Sequence, residues 1–248
     1  MPLYDNQPTR RAPLVTYLLI TINFVVFLMT PMATVGSWDT PEQTRQCSQE
    51  LFTREYGAIP RELTGGEQLP LPAATVEECG EHGYDKKPWL SALTSMFLHS
   101  GWLHLFGNMV YLFVFGQATE DRLGRLRFLL FYLACGYAAA YGFAITYPDA
   151  TVPLIGASGA IAGVLGSHLA LFPRSRTIAL VSGFIPFRLP AWVVLGQFFI
   201  LQWLSLGAAG DNVAYVAHIY GFVVGVAYGL LSRRPRATRR SALLSARR

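Results

Sequence analysis

Charged side chains are scarce in this 248-residue sequence. They make up 14% of the chain, hydrophobic residues make up 52%, and mean hydropathy is positive at +0.33. A typical soluble domain carries about 25% charged residues, so this composition excludes that class and indicates a membrane protein. The sequence also lacks aromatic residues interleaved with its arginines and any nucleic-acid recognition motif, which argues against a nucleic-acid partner.

Six long apolar runs are present, without the alternation of apolar and polar residues that barrel strands need. Each approaches the ~20 residues with which a helix crosses ~30 Å of hydrocarbon. Because every backbone amide and carbonyl in lipid must be bonded internally, the runs predict an all-α, polytopic membrane protein with a six-transmembrane-helix bundle. The first run is too long for a signal peptide and no A-x-A-like site follows it, so we expect it to be retained. The runs span residues 13–32, 102–117, 128–147, 155–172, 190–206 and 213–231.

The loop charges predict the orientation. Six spans leave 15 of the 20 basic residues on the side of the N-terminus and 12 of the 15 acidic residues on the other side. By the positive-inside rule both termini are cytoplasmic and the outer loop, 36–87, is outside. The chain then divides into an N-terminal segment (1–12), a six-helix domain (13–231) and a basic tail (232–248), which we expect to rest on anionic lipid head groups.

Two of the three cysteines, Cys47 and Cys79, fall in the outer loop, on the side where thiols can oxidise. A disulfide that closes this loop is therefore a hypothesis, with two free thiols as the alternative. The third, Cys135, falls within an apolar run, where a small packing residue is the favoured interpretation.

Polar side chains in hydrocarbon are costly, so each is a functional candidate. The second, fourth and sixth spans run inward, and they carry His104 and Asn108, Ser158, and His218 within their first two turns. At 1.5 Å per residue these four groups lie at similar depth in the outer half of the membrane. The sequence predicts that they share one cavity.

Small residues explain how two of these helices could meet. Gly221 and Gly225 are four apart and follow His218 on one face of the sixth helix, while Gly156 and Gly159 flank Ser158 in the fourth. Such faces let helix backbones pack closely in lipid. Packing would bring the imidazole to the serine hydroxyl, although the glycine series could instead serve homodimerisation.

These residue types favour acyl transfer. A serine is a poor nucleophile until a base takes its proton, the role offered to His218. His104 and Asn108, one turn apart, can donate to a developing oxyanion, with a helix–helix hydrogen bond as the alternative interpretation. Because no acidic residue lies at this depth to orient His218, the sequence predicts a Ser-His dyad rather than a triad.

Three other polar residues favour structural interpretations. His168 lies near the inner end of its span, His99 lies just outside the second span, and Glu120 marks that span's inner end, where capping or loop bonding is expected. An α/β-hydrolase elbow is a competing interpretation of the serine motif, but that elbow has glycine two residues before and two after its serine. This sequence has glycine two before and one after Ser158, and it lacks the required strands.

Three motifs resemble those of the rhomboid intramembrane serine proteases. They are the run LTSMFLHSGWLHLFGN at 93–108, the run GASGA at 156–160, and Ala217-His218 with Gly221 and Gly225. The resemblance implies an endopeptidase that uses no metal or cofactor and cuts transmembrane segments of other proteins near their extracytoplasmic end, after a small residue. Ala162 departs from the family, which can place an aromatic residue there against the catalytic imidazole.

The sequence leaves two alternative functions open and favours one cellular location. One rival is a catalytically inactive rhomboid-like protein that binds membrane clients; such relatives usually lack the serine or histidine. The other is a small transporter with a relay of His104, His168 and His218, which would distribute polar groups across the whole membrane. A bacterial plasma membrane is favoured, because no mitochondrial presequence or soluble cytoplasmic domain is evident.

Overall fold

The structure is a computed structural model that describes residues 1–33, 40–181, 185–206 and 215–233. Helices dominate it, which confirms the predicted class. In chain order the elements are β1 (Pro2–Asp5), α1 (Leu14–Leu28), α2 (Glu42–Tyr56), α3 (Pro60–Gly65), α4 (Ala73–Cys79), α5 (Pro88–Thr94), α6 (Trp102–Leu123), α7 (Arg125–Thr146), α8 (Ser158–Leu171), β2 (Arg176–Val181), β3 (Ile185–Pro190), α9 (Ala191–Leu204) and α10 (Tyr215–Leu231).

Each predicted span corresponds to one helix: α1, α6, α7, α8, α9 or α10. Among the described residues, Arg125–Thr146 is the one helix whose length and hydropathy alone suffice to cross a membrane. Four further apolar helices, α1, α8, α9 and α10, are shorter, with 14 to 17 residues. The number of crossings therefore remains a prediction from the sequence.

Helix α8 lies at the centre of the bundle. Every residue from Gly159 to His168 is buried, and the most extensive contact between described elements joins α8 to α10. A Cβ at Gly221 would collide with the carbonyl oxygen of Gly159, and one at Gly225 with that of Gly163. The two backbones can approach this closely because these positions lack side chains.

The turn between α6 and α7 is a single residue, Gly124. Its φ of +85° lies in the left-handed region that favours glycine, and its amide donates a 2.7 Å hydrogen bond to the carbonyl of Glu120. The Glu120 side chain accepts hydrogen bonds from the amides of Val15 and Thr16 and from the Thr16 hydroxyl, at 2.7 to 3.0 Å. Glu120 thus caps the start of α1, which confirms the structural interpretation.

A small antiparallel sheet, in the order β1-β2-β3, accompanies the helices and was not predicted. Its register pairs Asp5 with Thr177, and Ile178 with Arg188. Thr177 donates a 2.9 Å hydrogen bond to the Asp5 carboxylate. His168 is fully buried beside this sheet, with Nε2 3.2 Å from Ser175 Oγ and 3.6 Å from the Asp5 carboxylate, so its contacts are structural ones.

The outer segment, which is the part of the chain between α1 and α6 and contains the predicted outer loop, is more ordered than the weak periodicity of that loop predicts. Cys47 of α2 and Cys79 of α4 form a disulfide. Lys86 is buried, pairs with Glu62 at 2.6 Å and donates to the carbonyls of Arg54 and Gly57 at 2.7 Å. Burial lowers the pKa of Lys86 below its ordinary value, because the hydrogen bond and the charge of Glu62, which raise the pKa, offset only part of the effect.

A cluster of buried residues joins this outer segment to α7. Ala58, Leu63 and Ala92 of the segment pack there against Ala140 and Ala144. The segment is therefore docked on the helices. Residues 34–39 at its start, and 234–248 of the predicted basic tail, lie outside the described residues.

Candidate active site

Ser158 is the first residue of α8, and Gly156 shapes the loop that leads into it. Gly156 has φ +119°, a conformation that L side chains rarely adopt. A Cβ there would lie 2.9 Å from the ring of His104. The Gly156 amide donates a 2.8 Å hydrogen bond to the carbonyl of Ser95, which ties the loop to the turn before α6. The glycine thereby lets the loop, His104 and Ser158 share a small space.

Ser158 and His218 lie within hydrogen-bond distance of each other. Ser158 Oγ is 2.7 Å from His218 Nε2, although the two residues are 60 positions apart. Their approach depends on the glycine contact between α8 and α10, since Gly221 follows His218 by one turn. A base and a hydroxyl in this geometry can transfer a proton.

His218 has a second partner that was not predicted. Its Nδ1 atom is 2.7 Å from Oε1 of Gln202, a residue of α9 that is 8% exposed. Phe198, one turn earlier on α9, places its ring centroid 6.3 Å from the imidazole. Helix α9 therefore supplies the contacts that an acidic residue, or an aromatic residue at Ala162, would otherwise provide. Ala162 instead is fully buried and faces Gly221 of α10.

The sequence held only a weak signal for Gln202. Two glutamines, Gln197 and Gln202, interrupt the fifth apolar run. Neither is ionisable, so neither stands out as the charged or titratable groups of the other runs do. In the structure Gln197 is exposed and Gln202 is buried. The rotation of α9 about its axis decides between them, and an apolar helix with little amphipathic asymmetry does not reveal that rotation.

His104 lies against the loop at Gly156, as expected of a residue that shares the site. Its Nδ1 is 3.4 Å from the amide nitrogen of Ser100 and 3.2 Å from the Ser100 hydroxyl. A backbone amide can only donate, so Nδ1 is an acceptor and a neutral His104 carries its proton on Nε2. A Cβ built at Gly156 would lie 2.9 Å from both Cε1 and Nε2 of this ring and 3.6 Å from Ser158 Oγ, so the Nε2 side of His104 faces the loop that leads into Ser158.

Asn108 and His99 lie beside the site and do not line its cavity. Asn108 is 8% exposed, and its Nδ2 has no hydrogen-bond partner among the described residues. A buried amide donor without a hydrogen-bond partner is costly to stability, so Asn108 is the polar group of α6 whose hydrogen bonding the described part of the protein itself leaves incomplete. His99 is 1% exposed and packs edge-on against His104 with ring centroids 5.0 Å apart, in keeping with a role in orienting the loop.

A cavity of about 1010 Å³ gathers these groups. Ser158, His104 and His218 line it, together with small residues of α7. Polar side chains of α2 also line it, namely Gln46, Gln49, Glu50 and Thr53. The cavity is thus bounded by the bundle on one side and by the disulfide-linked outer segment on the other.

Comparisons with known proteins agree on one family. Residues 86–235 match the family model described as the Rhomboid domain. Rhomboid protein 1, mitochondrial, of Saccharomyces cerevisiae is 34% identical over 56% of this chain and 41% of its own length. Rhomboid protease GluP of Bacillus subtilis is 33% identical over 55% and 25%, and Rhomboid-type serine protease 2 of Emericella nidulans is 28% identical over 91% and 50%. The chain therefore spans half the length of these relatives or less.

Proposed function

The chain belongs to the rhomboid family, and from that premise we propose that it is an intramembrane serine endopeptidase with a Ser158–His218 dyad. Proteins of this family are integral membrane proteins, and relatives named as rhomboid proteases or serine proteases support the activity. The observation that carries the proposal is the 2.7 Å distance between Ser158 Oγ and His218 Nε2.

Acylation follows from this geometry. His218 Nε2 takes the hydroxyl proton as Ser158 Oγ attacks the scissile carbonyl, which forms a tetrahedral oxyanion. When the intermediate collapses, the carbon–nitrogen bond breaks and the imidazolium gives its proton to the leaving amine. The product that remains is an ester between Ser158 and the substrate's carbonyl carbon.

Deacylation repeats the steps with water. His218 Nε2 takes a proton from a water molecule that attacks the ester carbonyl, and a second oxyanion forms. Its collapse breaks the bond to Oγ, and the imidazolium returns a proton to Ser158. The carboxylic acid product leaves, and the dyad is restored without any change in oxidation state.

Three donors are proposed to hold the oxyanion. The Nε2–H of His104 and the unpartnered amide of Asn108 come from α6, and the amide of Ser158 adds the dipole of a helix N-terminus. Removing one donor of this kind typically lowers kcat by about 10² to 10³. Comparing the fall in kcat on His104→Ala with the fall on Asn108→Ala would measure how much each donor contributes.

The proposed substrates are transmembrane segments of other membrane proteins, cut near their extracytoplasmic end. The positive-inside charge distribution supports cytoplasmic termini, so the cavity beneath α2 would open on the extracytoplasmic side. A bacterial plasma membrane is proposed as the location, and a Bacillus subtilis protein is among the relatives.

Anionic lipid head groups are proposed as partners of the cytoplasmic face. The basic tail contributes seven arginines to this face, from Arg233 to Arg248. Within the described residues, five arginines and one aspartate surround a cavity of about 910 Å³ there. Lysine and arginine near an anionic bilayer surface each contribute about 1 kcal/mol to binding.

Cleavage of a single-pass substrate in detergent tests the function. Ser158→Ala and His218→Ala should each abolish the cleavage that the wild type shows. Ser167→Ala is the control, since Ser167 is another serine of α8, is buried, and its hydroxyl has no hydrogen-bond partner in the described part of the chain. Equal cleavage by wild type and Ser158→Ala would sink the proposal. If the wild type bound the substrate but neither cleaved it nor reacted with a serine-directed probe, the client-binding function would be favoured instead.

A further inference from the structure

Gln202 places an amide in an apolar helix, where a polar group is costly unless it is hydrogen-bonded. Both of its polar atoms have partners. Nε2 donates a 3.2 Å hydrogen bond to the carbonyl of Phe198, one turn back on α9, and Oε1 lies 2.7 Å from His218 Nδ1. The amide thus links the backbone of α9 to the imidazole of α10.

These partners determine which way the amide faces. A carbonyl oxygen accepts only, so the atom of Gln202 beside Phe198 must be the NH₂ group. The oxygen then faces His218, and an oxygen accepts as well. Nδ1 of His218 must therefore carry the proton of the neutral ring, which leaves a lone pair on Nε2, the atom that faces Ser158 Oγ.

We infer that Gln202 is a positioning residue that holds His218 in the tautomer and orientation required to take the proton of Ser158. The inference rests on the proposed function. In a Ser-His-Asp triad a carboxylate has this position, and it also stabilises the imidazolium. An amide supplies the directional acceptor without placing an ionised carboxylate at membrane depth, where charge is costly.

Gln202→Leu tests the role, because leucine fills the same space without an acceptor. We expect kcat for a single-pass substrate and the rate of fluorophosphonate labelling of Ser158 to fall by about 10², the lower end of what general-base catalysis contributes. KM should stay the same, since Gln202 does not line the cavity. Gln197→Leu, an exposed position of the same helix, is the control and should react like the wild type.

Two readouts separate positioning from a merely structural role. Gln202→Glu keeps an acceptor oxygen and should recover most of the lost rate, with its acidic limb of kcat/KM shifted to higher pH, because a carboxylate stabilises the imidazolium. The other titratable groups that line the cavity are His104 on α6 and Glu50 on α2, and both are unchanged in this variant. In ¹⁵N-histidine NMR spectra, with His218 assigned from His218→Ala, the ring should be protonated at Nδ1 in the wild type and lose that preference in Gln202→Leu.

The outcomes of the two proposals are distinguishable. A wild-type protein that no fluorophosphonate labels contradicts the protease function itself. A wild type that is labelled, with Gln202→Leu labelled at the same rate and unchanged in its His218 spectrum, overturns the positioning role alone. If Gln202→Leu fails to fold, Gln202→Met, which is linear like glutamine, takes its place in the same comparison.

Discussion

Gly156 meets two independent requirements at one residue. Its positive φ favours glycine for the backbone, and the His104 ring leaves no room for a side chain. The chain contains 23 glycines, and sequence alone identifies Gly156 only through its place two residues before Ser158. Its two roles could not be separated without the loop conformation and the position of the imidazole.

Gly156→Ala should abolish most of the activity while the protein still folds. A residue forced into a sparsely populated backbone conformation costs about 1 to 3 kcal/mol, and the methyl group would also displace His104 from the proposed oxyanion site. Thermal unfolding and the rate of substrate cleavage report the two effects separately.

Gly66→Ala is the control that measures the effect of backbone strain alone. Gly66 also has a positive φ, of +77°, but a Cβ there meets nothing within 4 Å. It should lower stability and leave the cleavage rate per folded molecule unchanged. Equal losses of activity in both variants would show that strain alone, rather than the contact with His104, explains Gly156.

Among the helices, the pair α8 and α10 determines whether a site forms. The glycines of both helices were visible in the sequence, and their spacing predicts close packing. The helix ends were less visible. Helix α6 was predicted to end at residue 117 but continues to Leu123, because the polar residues beyond 117 still have their backbone groups paired and Glu120 caps α1. Hydropathy marks the edge of the apolar run and not the end of the helix.

Gly225→Ala should separate α8 from α10. Its Cβ would meet the backbone of Gly163, which cannot rotate away as a side chain could, and overpacking of this kind costs about 1 to 3 kcal/mol. We expect a lower melting temperature and loss of cleavage, because His218 lies two turns earlier on the same helix. Gly196→Ala on α9, where a Cβ meets nothing within 4 Å, should leave both measurements at wild-type values. A fully active Gly225→Ala would contradict the view that this contact brings His218 to Ser158.

At the scale of the whole molecule, the loop charges predicted how the chain is oriented in the membrane. The pairing of strands that are far apart in the chain was not visible in the sequence. The sheet joins β1 at the N-terminus to β2, more than 170 residues later, through strands of four and six residues. Such short strands give little periodicity, and their partners are distant in sequence. The position of α2 beside the cavity was hidden for the same reason, since it depends on the docking of the outer segment.

The Cys47–Cys79 disulfide should influence substrate binding rather than chemistry. It closes a loop of 32 residues, and a cross-link of that span stabilises by about 3 to 4 kcal/mol in the chain-entropy description. In a Cys47→Ser, Cys79→Ser variant, α2 would lose this restraint beside the cavity. We expect KM for a transmembrane substrate to rise several-fold, while a small fluorophosphonate labels Ser158 at the wild-type rate. Ser48→Ala, at an exposed position of α2, is the control, and an unchanged KM in the double variant would refute the role.

Site-resolved labelling shows whether Ser158 is the nucleophile and whether His218 activates it. The purified protein is treated with a fluorophosphonate and digested, and the modified residue is identified by mass spectrometry. We expect one adduct, on Ser158, that is absent in Ser158→Ala. In His218→Ala the rate of its formation should fall to that of an unactivated hydroxyl. An adduct on another serine, or labelling of Ser158 that is indifferent to His218→Ala, would contradict the proposed dyad.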